Sequence, residues 1–166
     1  MATFAAIDFE TANYDRDSAC AVGIVIVSEG RIIQKIHKLI RPPSSNFIFT
    51  YIHGLTWDDE CDAPTFKELW PEIQGYIGNV RYLVAHNAPF DRGVMEACCI
   101  SNGFQIPKTP FQCTVQIARS CWGIYPTTLP DVCRHLDIKL LHHEALSDAE
   151  ACARIILAAE AEGWLP

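Results

Sequence analysis

Apolar and polar positions in the first forty residues follow strand rather than helix periodicity. The opening stretch, "TFAAIDFETANY", leads from a near-apolar run into two acids, and Ala5 to Phe9 is predicted as a strand. "SACAVGIVIVSEG" and "GRIIQKIHKLIRPP" are β-rich runs joined at Glu29-Gly30, a hairpin signal. A three-stranded antiparallel start follows, and Pro42 and Pro43 end its third strand. "SSNFIFTYIHGLT" is expected to be an irregular loop, after which Thr56 caps a short helix through "WDDE".

The period then changes to helical. Thr65 caps "FKELWPEIQGYIG", which places Phe66, Leu69, Trp70, Ile73 and Ile77 on one face; Pro71 is expected to kink or restart it. Tyr82 to Ala85 reads as a buried strand followed by a loop, and Asp91 as the start of a helix to about Ser101, ended by Gly103. "FQCTVQIARSCW" is a short strand then a helix, and "LPDVCRHLDI" a helix with Pro130 near its first turn. Ser147 opens the last helix, ended by Gly163. Five strands, three antiparallel and two alternating with helices, predict an α/β layered domain around a mixed five-stranded sheet.

Composition narrows the class. At 166 residues the chain is expected to form one domain, 1–166, with a full hydrophobic core. No apolar run approaches the ~20 residues that span a bilayer, and no basic region precedes the first strand, so the expected address is cytoplasmic, with no membrane partner. The eight cysteines (Cys20, Cys61, Cys98, Cys99, Cys113, Cys121, Cys133 and Cys152) form no C-x-x-C pair and read as reduced, mostly buried thiols. The net charge of -7 argues against a long basic groove for nucleic acid. It leaves room for a small site whose acids are neutralised by metal.

The acids supply such a site. Residues two apart on a strand share a face, so Asp8 and Glu10 point together and repel. Water, basic partners or a divalent cation must offset that repulsion. Asp91 follows a later strand in "HNAPFD"; His143 and Asp148 lie in "HHEALSDAE", the second in the first turn of the last helix. Singly, each is an ordinary cap or surface residue. As a set, they match a site in which several carboxylates converge on two cations about 4 Å apart. Hard oxygen ligands suit Mg²⁺ or Mn²⁺.

"DFET", "AHNAPFD" and "HEALSDA" resemble the three motifs of the DEDD 3′–5′ exonucleases, a family with a ribonuclease H-like fold, over Ala5 to Ala158. One branch has Tyr four residues before the last acid, where this chain has Glu144. The other has His five residues before, and His143 fits; His142 is out of register by one. The resemblance is therefore to the DEDDh branch, which includes the proofreading epsilon subunit of bacterial DNA polymerase III and stand-alone relatives. "IHGLT" and "CTVQIAR" also fit that branch. Cys113 departs from it, standing where many relatives have Asp, as does Leu129, where a basic residue is frequent.

What the resemblance implies is a 3′–5′ exonuclease that hydrolyses phosphodiester bonds and releases 5′-mononucleotides. Asp8, Glu10, Asp91 and Asp148 would hold two Mg²⁺ or Mn²⁺ ions, and His143 would take the proton of the attacking water. Thr11, Ile52, His53, Leu55 and Asn87 are candidate substrate contacts. Tyr14 either stacks on a base or packs its loop, and His86 either meets substrate or ties down the loop before Asp91. The implied partners are single-stranded DNA or RNA 3′ ends, with a DNA polymerase left open. Single-stranded or frayed DNA ends are the leading substrate, short RNA the alternative. A non-enzymatic module that binds nucleic-acid ends or joins a polymerase is the third reading, opposed by five intact catalytic positions.

Overall fold

In the computed structural model, which describes residues 3–166, a five-stranded sheet is ordered β3-β2-β1-β4-β5. β1 (Phe4–Thr11), β2 (Ala19–Ser28) and β3 (Arg31–Leu39) are antiparallel. β4 (Tyr82–Ala85) and β5 (Phe111–Cys113) run parallel to β1. Glu29 and Gly30 both take positive φ, 51° and 74°, which is the turn geometry that matches the twist of two paired strands. The predicted sheet is the observed one.

Alternation along β1 divides the core into two layers. Ala5, Ile7 and Phe9 pack with α3 (Phe66–Ile77) and α4 (Ala88–Ser101). Phe4 and Ala6 face the other way, toward α5 (Thr114–Trp122), α6 (Leu129–His135) and α7 (Ala145–Ala161). Asp8 and Glu10 continue the Phe4–Ala6 row, so the acids emerge on the α7 side where the apolar row runs out.

Four local expectations need correction. The stretch expected as irregular contains a one-turn helix, α1 (Thr50–His53), closed by Gly54 at φ 80° donating back to Thr50 O. Pro71 does not restart the helix, since α3 runs through it as one element. It sits one turn inside, where the single missing N–H bond is outweighed by the buried Phe66–Ile77 face and the reciprocal Thr65–Glu68 cap. α4 begins at Ala88, three residues before Asp91, because Asn87 in the left-handed region (φ 61°) turns the chain and Pro89 suits a first turn. α7 begins at Ala145 rather than Ser147. Thr56 stands at the N-cap of α2 (Trp57–Glu60) as predicted, with the Asp59 carboxylate, not foreseen, accepting its backbone N–H at 2.8 Å.

Gly23 lets α7 approach the sheet. It pairs with Asp8 across β1 and β2, and a Cβ there would overlap the Ala145 carbonyl and the Leu146 Cα. Both are backbone and cannot swing aside. Gly23→Ala is expected to destabilise the protein by about 1–3 kcal/mol in urea denaturation, and to displace the start of α7 with Asp148. An alanine variant of wild-type stability would show that α7 is not held by this contact.

Glu60 is fully buried, and neither carboxylate oxygen has a hydrogen-bond partner among the described residues. Burial first, and Asp59 second, raise its pKa from 4.5 to about 7. A raised acid pKa means the native state holds the proton more tightly. The cost is absent below 4.5 and grows as pH rises through about 7. Glu60→Gln is therefore expected to be more stable than wild type at pH 8, by about 1–3 kcal/mol, with the difference vanishing near pH 4. Equal denaturation midpoints at pH 8 would contradict this.

Candidate active site

The site lies at the carboxyl ends of β1 and β4, where the open crevice of a parallel pair forms. β4 pairs with β1 only as far as Ala6 before the chain turns into α4. The Phe9 amide beyond that point is taken by Asp91, whose Oδ1 accepts it at 2.9 Å from the first turn of α4. Asp91 is thus a buried helical residue, not a loop residue.

Asp148 arrives from the first turn of α7. One of its oxygens, Oδ2, accepts from His142 Nδ1 at 2.9 Å and from the His143 backbone N–H at 3.1 Å. The other, Oδ1, is buried with no hydrogen-bond partner among the described residues. Side-chain oxygens of Asp8, Glu10 and Asp148 lie within 4.8 Å of one another. Asp91 stands beside this trio, its charge acting on Asp8 and Glu10.

Electrostatics make the cluster costly by itself. Burial, then the Asp91, Asp148 and Glu10 charges, push Asp8 well above the usual carboxylate range. Burial and the Asp148 and Asp91 charges lift Glu10 to about 8. Burial also raises Asp91 and Asp148. No lysine or arginine forms an ion pair with any of the four among the described residues. Crowded hard oxygens, one of them orphaned, fit divalent cations. Millimolar Mg²⁺ or Mn²⁺ is expected to raise the melting temperature measured in EDTA by about 5–10 °C, the shift that ~100-fold saturation gives a chain of this size. An unchanged melting curve would show that the cluster binds no cation.

The two histidines stack at 3.7 Å between ring centroids, with His143 in the left-handed region at φ 67°. Burial, then His142, lower the His143 pKa below 6.5, leaving the imidazole neutral at pH 7. The sequence register assigned Asp148 to His143 alone, but the His142 ring makes the side-chain bond to Asp148.

The cleft of about 510 Å³ is lined by Asp8, Glu10, Thr11, Ile52, His53, His86, His143 and Asp148, all singled out from the sequence. Two histidines there are committed to the fold. His53 Nδ1 accepts the Leu55 N–H, so Nε2 donates to Thr11 O at 3.1 Å. His86 Nε2 donates to Thr127 O at 3.1 Å and Nδ1 accepts from the Thr114 hydroxyl at 2.8 Å; burial drops its pKa to about 4. His86 therefore ties its loop to α5 and to the segment before α6, the second of the two roles open for it.

Leu55, Asn87 and Tyr14 do not line the cleft. Leu55 follows the Gly54 turn, and Asn87 serves that at the start of α4. Tyr14 packs edge-on against Phe49, which does line it. Phe9, Phe49, Phe90 and Thr128 join the wall unforeseen, together with Leu129 and His142, which the sequence had set aside as departures from the family pattern. Phe9 and Phe90 carried a signal, each adjoining a candidate acid in "DFET" and "HNAPFD". Leu129 is buried in the core layer that contains Val132 and Ile156, so a basic residue is replaced here by core.

This sheet, with its acids at the carboxyl ends of β1 and β4 and on α7, defines the class of DEDDh 3′–5′ exonucleases, divalent-metal-dependent hydrolases of phosphodiester bonds. The exonuclease profile of the RNase T family matches residues 5–156, and the chain belongs to this family. It is 30% identical over 158 residues to DNA polymerase III PolC-type of Clostridium perfringens, covering 92% of this chain and 11% of that protein. The chain thus spans about a ninth of the curated relatives it matches. Its fold is like that of Exonuclease X, solved in complex with 5′ overhanging duplex DNA (TM-score 0.79, 22% identity, 98% and 94% of the two chains). It is also like the nuclease domain of 3′hExo, a DEDDh family member bound to rAMP (TM-score 0.82, 16% identity, 97% and 92%). Among the described residues no helix is long and apolar enough to cross a membrane.

Proposed function

We propose that residues 1–166 form one cytoplasmic exonuclease domain that removes 5′-mononucleotides from the 3′ end of single-stranded or frayed DNA. The observation that carries this reading is the convergence of Asp8, Glu10 and Asp148 oxygens within 4.8 Å, with Asp91 alongside and His143 at the rim. These four acids would hold two Mg²⁺ or Mn²⁺ ions, which when bound supply activation of water and charge stabilisation of the leaving 3′-oxygen.

The chain's own groups do the rest. His143, neutral at pH 7, has a lone pair free to accept the proton of the attacking water. His142 and the His143 backbone N–H fix Asp148 Oδ2, leaving Oδ1 for the cation. Thr11 and Ile52 line the end pocket, and the His53–Thr11 bond fixes α1 against β1 there. A terminal pocket of this size favours an unpaired end, since pairing must be undone before the last nucleotide enters.

The test is a panel of end-labelled single-stranded DNA, duplex DNA, RNA and circular single-stranded DNA, with Mg²⁺ or Mn²⁺. Laddering from the 3′ end of linear DNA, fastest for single strands, is expected. Exclusive cutting of RNA would replace DNA by RNA as substrate, and efficient cutting of the circle would overturn the end-pocket reading.

A further inference from the structure

A protein of net charge -7 with an acidic cleft needs a positive group to receive a polyanion, and Arg16 is seated on α4 one helical turn from Phe90 of the cleft wall. The loop from Ala12 to Ser18 crosses from β1 toward the outer face of α4. It is braced at its base: Ala12 O accepts the Ile48 and Phe49 amides, Asn13 Nδ2 donates to Asn46 O, and Ser18 Oγ donates to Asp15 O. Arg16 projects from this loop onto α4, and its Nη1 fills the space a Cβ at Gly93 would occupy. Gly93 lies inside the helix without positive φ, so no turn requires glycine there. What its missing side chain provides is a seat for a guanidinium.

Arg16 makes no ion pair or hydrogen bond with a side chain among the described residues, unlike Arg92, Arg134 and Arg154. Of its two acidic neighbours in sequence, Asp17 is engaged by the Ser101 hydroxyl at 2.7 Å. Phe90, three residues before Gly93 and so on the same helical face, lines the cleft and is 42% exposed. Tyr14, two residues before Arg16, is 78% exposed and rests on Phe49 of the cleft wall. A guanidinium with no side-chain partner among the described residues, seated on Gly93 one helical turn from the exposed, cleft-lining Phe90 and two residues along the loop from the exposed Tyr14, has the chemistry of a strand-guiding contact.

We infer that Arg16, seated on Gly93, binds a backbone phosphate of the strand leading into the cleft, with Tyr14 and Phe90 as base-stacking surfaces on either side. The inference rests on the nuclease reading of the site. It makes Gly93 a residue that sets substrate affinity through Arg16, although it touches no substrate itself.

The test measures binding of a fluorescent single-stranded oligonucleotide by an Asp8→Asn background with Mg²⁺, across a salt series. Adding Arg16→Gln is expected to weaken binding about fivefold, the scale of one exposed charge contact, and to reduce the slope of log affinity against log salt by about 0.7. Gly93→Ala displaces the flexible end of Arg16, not backbone, so it should give the same loss with a melting temperature no lower than its parent. The pair together should lose no more than Arg16→Gln alone. A neutral methylphosphonate linkage at one position near the 3′ end should weaken the Arg16-containing protein and leave the Arg16→Gln protein indifferent. Unchanged affinity and slope with Arg16→Gln would overturn the inference and leave the nuclease reading standing. Gly93→Ala binding as tightly as its parent would overturn the role of the seat. Absence of strand binding both by the background and by the wild-type protein with Mg²⁺ on a hydrolysis-resistant phosphorothioate strand would overturn both readings.

Discussion

Asp8→Asn is expected to cut turnover by at least about 10³-fold, the upper range for removal of one preorganised electrostatic group, while making the metal-free protein more stable. The two effects have one cause. Asp8 is half-buried next to three other carboxylates, and its pKa is driven up. A native state that binds the proton more tightly than the unfolded chain loses stability as pH rises above the ordinary Asp range. An amide of the same shape removes that cost and also removes the charge a cation requires. In EDTA at pH 8 the variant should therefore melt above wild type, and the stabilisation by Mg²⁺ or Mn²⁺ should shrink. Retained turnover on an end-labelled oligonucleotide, or a lower melting point in EDTA, would refute the role given to the cluster.

His143→Ala is expected to slow hydrolysis by roughly 10²- to 10⁴-fold, the range for loss of a positioned general base, with divalent cation binding preserved. Its lowered pKa sets a further signature. A base works only when unprotonated, so kcat/KM should fall on the acid side, below pH 6.5, and the variant should lose that limb. His142→Ala removes one bond to Asp148 Oδ2 while the His143 backbone N–H still holds it, so a loss within about tenfold, one hydrogen bond's worth, is expected. If His142→Ala proves the more damaging and abolishes the acid limb, the ring bonded to Asp148 is the base and the register drawn from "HEALSD" is wrong.

Much of this was legible in the chain because the signals were local. The Glu29-Gly30 hairpin, the Thr56 and Thr65 caps and the five-residue apolar face of α3 depend on neighbours within a few positions, and each formed as expected. The errors were also local in kind. Pro71 and the starts of α4 and α7 were judged from single residues, whereas a buried face, an Asn in the left-handed region and contact with the sheet decided them. The candidate acids were legible because three short motifs recur in order, although Leu55 and Asn87 were carried along with those motifs and stand away from the cleft.

The sequence by itself determined the strand and helix content, the row of Asp8 and Glu10 on one face, and the family to which the motifs belong. The tertiary structure decided which atoms meet. Asp91 reaches the Phe9 amide, eighty-two positions away in the chain, because β4 stops pairing with β1 at Ala6. Asp148 reaches Asp8 because Gly23, on a different strand, has no side chain to hold α7 off. Arg16 settles on Gly93 for the same reason of missing volume. Periodicity and capping are set by backbone geometry over one or two turns, so they can be read along the chain. Closure of a site is set by volumes and unpaired groups on segments far apart in sequence, so it exists only once the layers have packed.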